Sequence, residues 1–99
     1  SSEIKQGYVG DSILVTEFVD NLIFFPRLYH NDQLIAILRD SDCDVSTNSP
    51  FYGRILCSKD NENSTTTRIE IKNVSEMATG LYTVETEGSV TQRCFLNIT

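Results

Sequence analysis

The sequence contains no arrangement of residues whose types and spacing would carry out catalysis or hold a metal ion. His30 is the only histidine, and the turn-forming Asn and Asp that follow it predict a solvated imidazole rather than a triad member or zinc ligand. The acidic residues within 40–44 have the spacing that opens a calcium loop, but Val45 and Phe51 stand where that loop needs glycine and glutamate. No Cys-x-x-Cys pair, glycine-rich phosphate loop or His-Glu-x-x-His motif occurs. We therefore predict a protein that is not an enzyme and that holds no cofactor, metal ion or small-molecule substrate.

The charge balance argues against two further classes of partner. Fourteen acidic and eight basic residues give the 99-residue chain a net charge of −6 and a pI near 4.5. A surface that binds nucleic acid needs a basic face, and an anionic membrane surface repels an acidic protein. The longest apolar segments, 22–25 and 34–38, are too short to span a membrane. We predict no nucleic-acid partner, and association with a membrane only through a transmembrane segment elsewhere in a parent protein.

Three Asn-x-Ser/Thr sequons indicate a secreted chain. They begin at Asn63, Asn73 and Asn97, and all three asparagines are predicted glycosylation sites. Because sugar is attached in the secretory pathway, three sequons in 99 residues favour an extracellular protein. No signal peptide is visible, and we expect a secreted parent to have lost it before Ser1.

The pattern of apolar residues predicts short strands rather than helices. Residues 66–73 alternate cleanly, with Ile69 and Ile71 directed inward and charged residues between them, as in a half-buried antiparallel strand. Turn-forming residues separate the apolar stretches, most clearly at 10–11 and 87–88. The predicted strands cover residues 1–8, 12–18, 22–29, 34–39, a short segment within 40–50, 52–56, 66–73, 80–86 and 89–98. This series predicts an all-β sandwich in a single domain of residues 1–99.

The segment 78–84 resembles strand F of immunoglobulin domains, because Gly80 stands two residues before Tyr82 and an apolar strand follows. In that family the tyrosine hydroxyl bonds the backbone a few residues upstream. Residues 10–15 resemble strand B, and the Leu-Ile pair at 34–35 resembles strand C′ of variable-type domains. The resemblance covers nearly the whole chain. It implies an immunoglobulin-like antiparallel β-sandwich with the variable-type (V-set) topology.

Several hallmark residues of that family are replaced in this chain. Ala78 occupies the position of the usual aspartate before strand F, and Val84 occupies that of the cysteine that bridges to strand B. The chain has no tryptophan for strand C, and Phe24 or Phe25 is the expected substitute. The resemblance therefore implies a sandwich that lacks both the B–F disulfide and the core tryptophan.

These replacements change the expectation at two positions, one in strand B and one at the start of strand D. The strand-B cysteine position falls near Glu17, which is not a core residue, so we expect Thr16 or Phe18 to face the core instead. An arginine at the start of strand D normally pairs with the missing aspartate. For Arg54 we expect Glu76 to take that role.

The three cysteines offer one substitute for the missing bridge. Cys43 and Cys57 would join the C′–C″ region to strand D across a loop of about 15 residues, worth roughly 3 kcal/mol in the chain-entropy model. Cys94 lies in the inward phase of strand G, together with Val90, Leu96 and Ile98, and is expected to be a buried hydrophobic side chain. Another pairing, or no disulfide, stays open here because the separation of the Cα atoms decides connectivity.

Strands C and C′ carry more apolar residues than a sandwich strand can bury. Residues 34–38 are apolar at every position, as are residues 22–25, while a strand of a sandwich buries only one face. Because C and C′ are neighbours in the variable-type fold, their outer residues would merge into one exposed patch, which usually marks a partner surface. A neighbouring domain or strand C″ could instead cover it. The residues predicted to point outward and bind the partner are Phe25, Arg27, Tyr29, Ile35, Ile37, Arg39 and Glu85.

A variable-type domain without the B–F bridge, without the core tryptophan and with displaced cysteines resembles the membrane-distal domains of cnidarian allorecognition receptors, the Alr-type family. Those domains bind like alleles across opposing cells. The resemblance implies an extracellular recognition domain from a single-pass cell-surface receptor, which binds another copy of itself through the C–C′–F–G face. A heterophilic immune-type receptor domain is one alternative. A structural module of an intracellular or matrix array is the other, and in an intracellular array the thiols would be reduced.

Overall fold

The computed structural model describes residues 2–19, 25–39, 42–59 and 65–99. Residues 22–24 of the predicted strand C, which include Phe24, and Asn63 of the first sequon lie outside these ranges. The strands within them are β1 (Ser2–Gly7), β2 (Ile13–Val19), β3 (Arg27–His30), β4 (Gln33–Arg39), β5 (Asp42–Asp44), β6 (Ile55–Lys59), β7 (Thr66–Ile71), β8 (Gly80–Thr86) and β9 (Ser89–Ile98). A single turn of 3-10 helix, Glu76–Ala78, precedes β8.

The described strands form two sheets that pack face to face. One sheet has the order β1-β9-β8-β3-β4-β5, and the other has the order β2-β7-β6. Every strand pair is antiparallel except β1 with β9, which is parallel. The predicted all-β sandwich is therefore confirmed, with β4 and β5 extending the larger sheet beyond β3 as strands C′ and C″ do. The predicted ranges 80–86 and 89–98 match β8 and β9 residue for residue.

Alternating side chains of the two inner faces form the core. In β7 the buried positions are Ile69 and Ile71, as the sequence predicts, and also Thr67. Leu28 and Val84 face them from the larger sheet. A fully buried aliphatic side chain contributes about 1.5–3 kcal/mol to folding. Apolar packing thus occupies the space between the sheets where related folds place a disulfide.

Two hairpins set the register of the larger sheet. The β3–β4 turn has positive φ at Asn31 (49°) and Asp32 (66°), and the β8–β9 turn has positive φ at Glu87 (54°) and Gly88 (79°). Two consecutive residues in this region define the type I′ turn, whose twist matches that of the strands it joins. Asn, Asp and Gly tolerate that backbone conformation, so Asn31, Asp32 and Gly88 favour these turns locally, whereas Glu87 is a residue type that rarely adopts it.

Tyr82 packs beneath the connection between β7 and β8, which we call the corner. Its hydroxyl donates a 2.5 Å hydrogen bond to the Ala78 carbonyl, as the sequence predicts, and its side chain is 1% exposed. Burial raises the pKa of Tyr82 further above neutrality, so the hydroxyl keeps its proton. Gly80 is required beside it, because its φ is 144° and a Cβ there would lie 2.5 Å from Asn31 Oδ1.

Replacing Tyr82 by phenylalanine is expected to lower the free energy of unfolding by about 1–3 kcal/mol, because the buried Ala78 carbonyl loses its side-chain donor. Urea denaturation followed by circular dichroism measures the change. Tyr8→Phe, at an exposed tyrosine, is the matched control and should change stability by less than about 0.5 kcal/mol. Equal effects of the two substitutions would contradict the role given to this hydrogen bond.

The smaller sheet resolves the strand-B question raised by the sequence. Thr16 and Phe18 are both buried, and Glu17 is exposed and pairs with Arg68 at 2.7 Å. The register of β2 against β7 shifts between Leu14 and Thr16, so a bulge sets which side chains face the core. The expectation that Thr16 or Phe18 faces inward is confirmed.

The partner predicted for Arg54 is wrong. Its Nη1 donates to the Asn73 carbonyl at 2.6 Å, and it forms no ion pair with Glu76, which also lies in the described part of the chain. The backbone explains the difference, because the Lys72 amide donates to the Arg54 carbonyl at 2.7 Å and brings the arginine to the end of β7. Without an aspartate at position 78, a backbone carbonyl is the acceptor within reach.

The predicted disulfide between Cys43 and Cys57 is present. It joins β5 of the larger sheet to β6 of the smaller one, with a Cα–Cα distance of 5.7 Å. Cys94 is a buried free thiol, as predicted, and burial raises its pKa, so it stays protonated and unreactive. The covalent link between the sheets therefore lies at the β5–β6 edge instead of at the centre.

His30 is not the solvated turn residue that the sequence predicts. Its Nε2 donates to the Thr79 carbonyl at 2.9 Å, and its ring lies 4.7 Å from that of Tyr82 and 5.1 Å from that of Phe51. Because β3 continues through His30, the turn begins only at Asn31. The imidazole is thus a half-buried part of the corner around Tyr82.

Candidate protein-binding face

Strand alternation places a set of side chains on the outer face of the larger sheet. Leu28 and Val84 are buried in the core, so their neighbours Arg27 and Glu85 point to the opposite side. Arg27 lies directly opposite Ile37 of β4 on one flank and Glu85 of β8 on the other. Three adjacent strands therefore contribute one outward side chain each to a single row.

A surface depression of about 720 Å³ covers this region. We call it the β3–β4–β8 face, and its described lining residues are Phe25, Arg27, Ile37, Arg39, Glu85, Glu87 and Gly88. Five of the seven residues predicted to bind a partner belong to it. The sequence did not indicate Glu87 and Gly88, although they were recognised as a turn. Their position directly after β8 could have indicated that they belong to the face, because it brings the turn beside the outer row.

Ile35 was predicted to point outward, and this prediction is wrong. Its side chain is only 9% exposed and belongs to the core cluster, next to the buried Ala36. The cause is a bulge, because Leu28 pairs with Ala36 while the next residue, Tyr29, pairs with Leu34. The register thus skips Ile35, and the strict alternation on which the prediction relied fails at that point.

Tyr29, the other predicted residue outside the depression, is half-buried. It lies in the next row of the sheet, between Leu34 of β4 and Thr83 of β8. Tyr29 therefore borders the β3–β4–β8 face without lining it.

Phe25 is exposed at the rim of the face and does not replace the missing core tryptophan. Its side chain is 47% exposed, and the guanidinium carbon of Arg39 lies 5.1 Å from the centre of its ring. Arg39 also contacts Asp44 of β5, with 3.4 Å between Nε and Oδ2. Both contacts are exposed and each is worth less than about 1 kcal/mol. They nevertheless hold an aromatic ring and an arginine in place at the surface.

Three charged side chains of the face have no ion pair with any residue in the described ranges. They are Arg27, Glu85 and Glu87, whereas Arg39 is engaged with Asp44. These charges line the same depression as the exposed ring of Phe25 and the half-buried Ile37. Aromatic and arginine side chains are enriched in protein interfaces, and this face contains both.

Strand β9 brings a further apolar side chain to the outer face. Val90 was predicted to point inward, but it is 41% exposed and lies opposite Glu85. The prediction fails because the register skips Thr91, whose hydroxyl donates to the Val84 carbonyl at 3.3 Å. Because of this bulge in the β8–β9 pair, the residues of β9 before Thr91 face the opposite side from that expected by alternation from Cys94.

Two of the predicted glycosylation sites lie in the described part of the chain, and both are exposed. Asn73 follows β7 in a turn with a φ of 50°, and Asn97 is near the end of β9, where its amide donates to Gln6 Oε1 at 3.3 Å. Asn97 is at the opposite end of β9 from the turn that lines the β3–β4–β8 face. A glycan at Asn97 would begin far from the depression.

The described ranges contain neither a metal-binding cluster nor a membrane-spanning helix. No group of three or more His, Cys, Asp or Glu side chains there is placed to hold a metal ion. No helix in those ranges has the length and apolar character needed to cross a bilayer.

Comparison with known proteins supports the fold. No protein-family profile matches the sequence, and no curated protein does either. Among solved structures, the chain is similar to the second Ig domain of the mouse polymeric immunoglobulin receptor, with a TM-score of 0.76, 14% identity, and coverage of 100% of this chain and 97% of that one. It is also similar to the CD2-binding domain of CD58 (lymphocyte function-associated antigen 3), with a TM-score of 0.67, 17% identity and coverage of 99% of this chain.

The chain spans 54% of the length of that CD58 structure and nearly all of the receptor domain. At identities of 14% and 17%, such a likeness establishes architecture and not activity. Together with the strand order, it shows that the chain has an immunoglobulin-like β-sandwich fold.

Proposed function

We propose that this chain is an extracellular recognition domain that binds protein through the β3–β4–β8 face, and that its partner is another copy of itself. The observation that carries the proposal is the face itself. Phe25 and Ile37 lie there among Arg27, Glu85 and Glu87, three charges that have no ion pair within the described ranges. Accessible apolar groups beside charges of both signs suit a protein partner better than a small molecule.

The two structural neighbours support a role in recognition. One belongs to a receptor, and the other is the domain of CD58 that binds CD2. The disulfide between Cys43 and Cys57 is consistent with an oxidising, extracellular location. Exposed sequons at Asn73 and Asn97 point the same way, and we propose that both carry N-linked glycans.

The finer proposal is a variable-type domain of the Alr-type allorecognition receptors, carried by a single-pass membrane protein. The strands β4 and β5 beyond β3 support the variable type. The replaced hallmark positions support the Alr-type resemblance, because Val84 packs in the core where the bridging cysteine would be. One such domain should bind weakly, and clustering of many copies at the cell surface would supply avidity.

Ile37→Asp tests this proposal. We expect the substitution to weaken self-association at least tenfold, because it places a charge at the centre of the apolar part of the face. Sedimentation velocity over a range of protein concentrations measures the dissociation constant. Ile4→Asp, at an isoleucine that is 83% exposed on β1, is the matched control and should leave the constant unchanged. Ile35 is unsuitable for this test, because a charge at that buried position would unfold the domain.

A wild-type chain that stays monomeric at high concentration would overturn the self-association part of the proposal. Binding of a different protein through the same face is the alternative, and the likeness to the CD2-binding domain of CD58 favours it. In that case tetramers of the chain should stain partner cells, and Ile37→Asp tetramers should not. Equal self-association of wild type and Ile37→Asp would show that the face is not the contact.

A further inference from the structure

Four outward side chains form one cross-strand row on the larger sheet. Ile37 of β4 lies opposite Arg27 of β3, Arg27 lies opposite Glu85 of β8, and Glu85 lies opposite Val90 of β9. With strands about 4.8 Å apart, this row is about 14 Å long. Its composition from β4 to β9 is apolar, basic, acidic, apolar.

The charges of the face are divided between its two halves. The half on β3 and β4 carries Arg27 and Arg39, of which Arg39 pairs with Asp44 of the neighbouring β5, and the half on β8 and its turn carries Glu85 and Glu87. The boundary runs along the strands, between β3 and β8. If a second copy lies on this face with its strand order reversed about the boundary, its basic half covers the acidic half of the first copy. Its Ile37 then covers Val90 of the first copy.

A two-fold axis that lies between two apposed faces has two limiting orientations, parallel to the strands and across them. An axis parallel to the strands reverses the strand order, so Arg27 meets the partner's Glu85, twice in each dimer. An axis across the strands preserves the strand order, so the acidic half covers the acidic half wherever along the strands the axis lies. Like charges apposed in an interface cost several kcal/mol, and opposite charges set the register.

We propose that two copies of this chain pair through the β3–β4–β8 face about a two-fold axis that runs parallel to β3 and β8, between these strands. The proposal rests on the proposed function, in which the partner is a second copy. Each dimer then contains two Arg27–Glu85 contacts and two Ile37–Val90 contacts, and the contact is isologous. Because the axis follows the strands, the C-terminal ends of both β9 strands leave the dimer on the same side. The paired copies therefore leave the dimer side by side, an arrangement that differs from the binding across opposing cells implied by the Alr-type resemblance.

Charge reversal tests the direction of the axis. With the axis along the strands, Arg27→Glu alone and Glu85→Arg alone each create two like-charge contacts, and each should weaken self-association about tenfold or more. In a heterodimer of the two variants, both contacts between position 27 of one copy and position 85 of the other again join opposite charges. An equimolar mixture should therefore form this heterodimer with an affinity within about threefold of the wild type. Sedimentation velocity of the separate variants and of their mixture measures both effects.

Two controls separate the interface from folding. Lys72→Glu and Glu76→Arg reverse exposed charges outside the face and should leave the dissociation constant unchanged. Arg27→Glu and Glu85→Arg each place like charges opposite each other on β3 and β8 of the same chain, so both should unfold cooperatively at a temperature slightly below that of the wild type.

The possible results distinguish this inference from the proposed function. If Ile37→Asp abolishes self-association while both charge reversals leave it unchanged, the face binds a second copy but the axis is wrong. Tighter self-association of Glu85→Arg would also overturn the axis, because it would relieve an acidic half lying on an acidic half. A monomeric wild type would overturn both the axis and the second copy. Weakened single variants with a restored mixture support the axis.

Discussion

Replacing Leu28 by alanine is expected to lower the free energy of unfolding by about 2–5 kcal/mol. Leu28 is 0% exposed and lies opposite Val84 on one side and Ala36 on the other, at the middle of the larger sheet. No covalent bridge crosses the sandwich there, so side-chain packing alone holds the sheets together at this point. Removing the side chain leaves a cavity that the surrounding strands cannot fill without disturbing their pairing.

Urea denaturation of Leu28→Ala and of wild type measures this loss. Leu34→Ala is the matched control, because it removes the same atoms from the neighbouring strand at a position that is 49% exposed. We expect the control to change stability by less than about 0.5 kcal/mol. A small domain has only about 5–15 kcal/mol in total, so Leu28→Ala should shift the urea midpoint visibly. A loss of less than about 1 kcal/mol would show that packing at Leu28 does not hold the sheets together.

Replacing Cys43 and Cys57 together by serine is expected to lower the free energy of unfolding by about 3 kcal/mol. The two cysteines are 14 positions apart, and their disulfide joins the short edge strand β5 to β6 of the opposite sheet. The cross-link restricts the unfolded chain, and strand β5, with three residues, has little other pairing to hold it. Urea denaturation with and without reductant measures the effect.

The double serine variant supplies its own control, because reductant should destabilise the wild type and leave the variant unchanged. Thiol titration gives an independent measurement. The native chain should react slowly, since Cys94 is buried and its raised pKa keeps it protonated, and the denatured, unreduced chain should show one thiol. Three reactive thiols in the denatured, unreduced chain would contradict the disulfide and favour a reducing compartment.

Much of the fold could be predicted from the sequence, because its signals are local. In the hairpin turns at 31–32 and 87–88, Asn31, Asp32 and Gly88 are residue types that accept positive φ whatever lies around them. The strict alternation of more and less buried positions in β7 requires only that one face of the strand packs on the core, so the sequence of that strand alone predicts it. The Gly80-x-Tyr82 pattern placed the corner, and its hydrogen bond to Ala78 spans only four residues.

The candidate face could be predicted only in part. An excess of apolar residues in two neighbouring strands was enough to indicate an outward patch, and five of its predicted members line the depression. Ile35 and Val90 were assigned to the wrong side, because each adjoins or forms part of a bulge. A bulge arises from the pairing of one strand with its neighbour, and period-two alternation within a single strand cannot reveal it.

Partners that are distant in the sequence were decided by the tertiary structure alone. His30 meets Thr79 and Phe51 only after β8 has paired with β3, and Arg54 reaches the Asn73 carbonyl only after β6 has paired with β7. The sequence by itself determined the strands, the turns and the corner, since these depend on backbone preference and short-range spacing. The tertiary structure decided which charges of the face stay unpaired and on which half they lie, because both depend on the register between strands that are far apart in the chain.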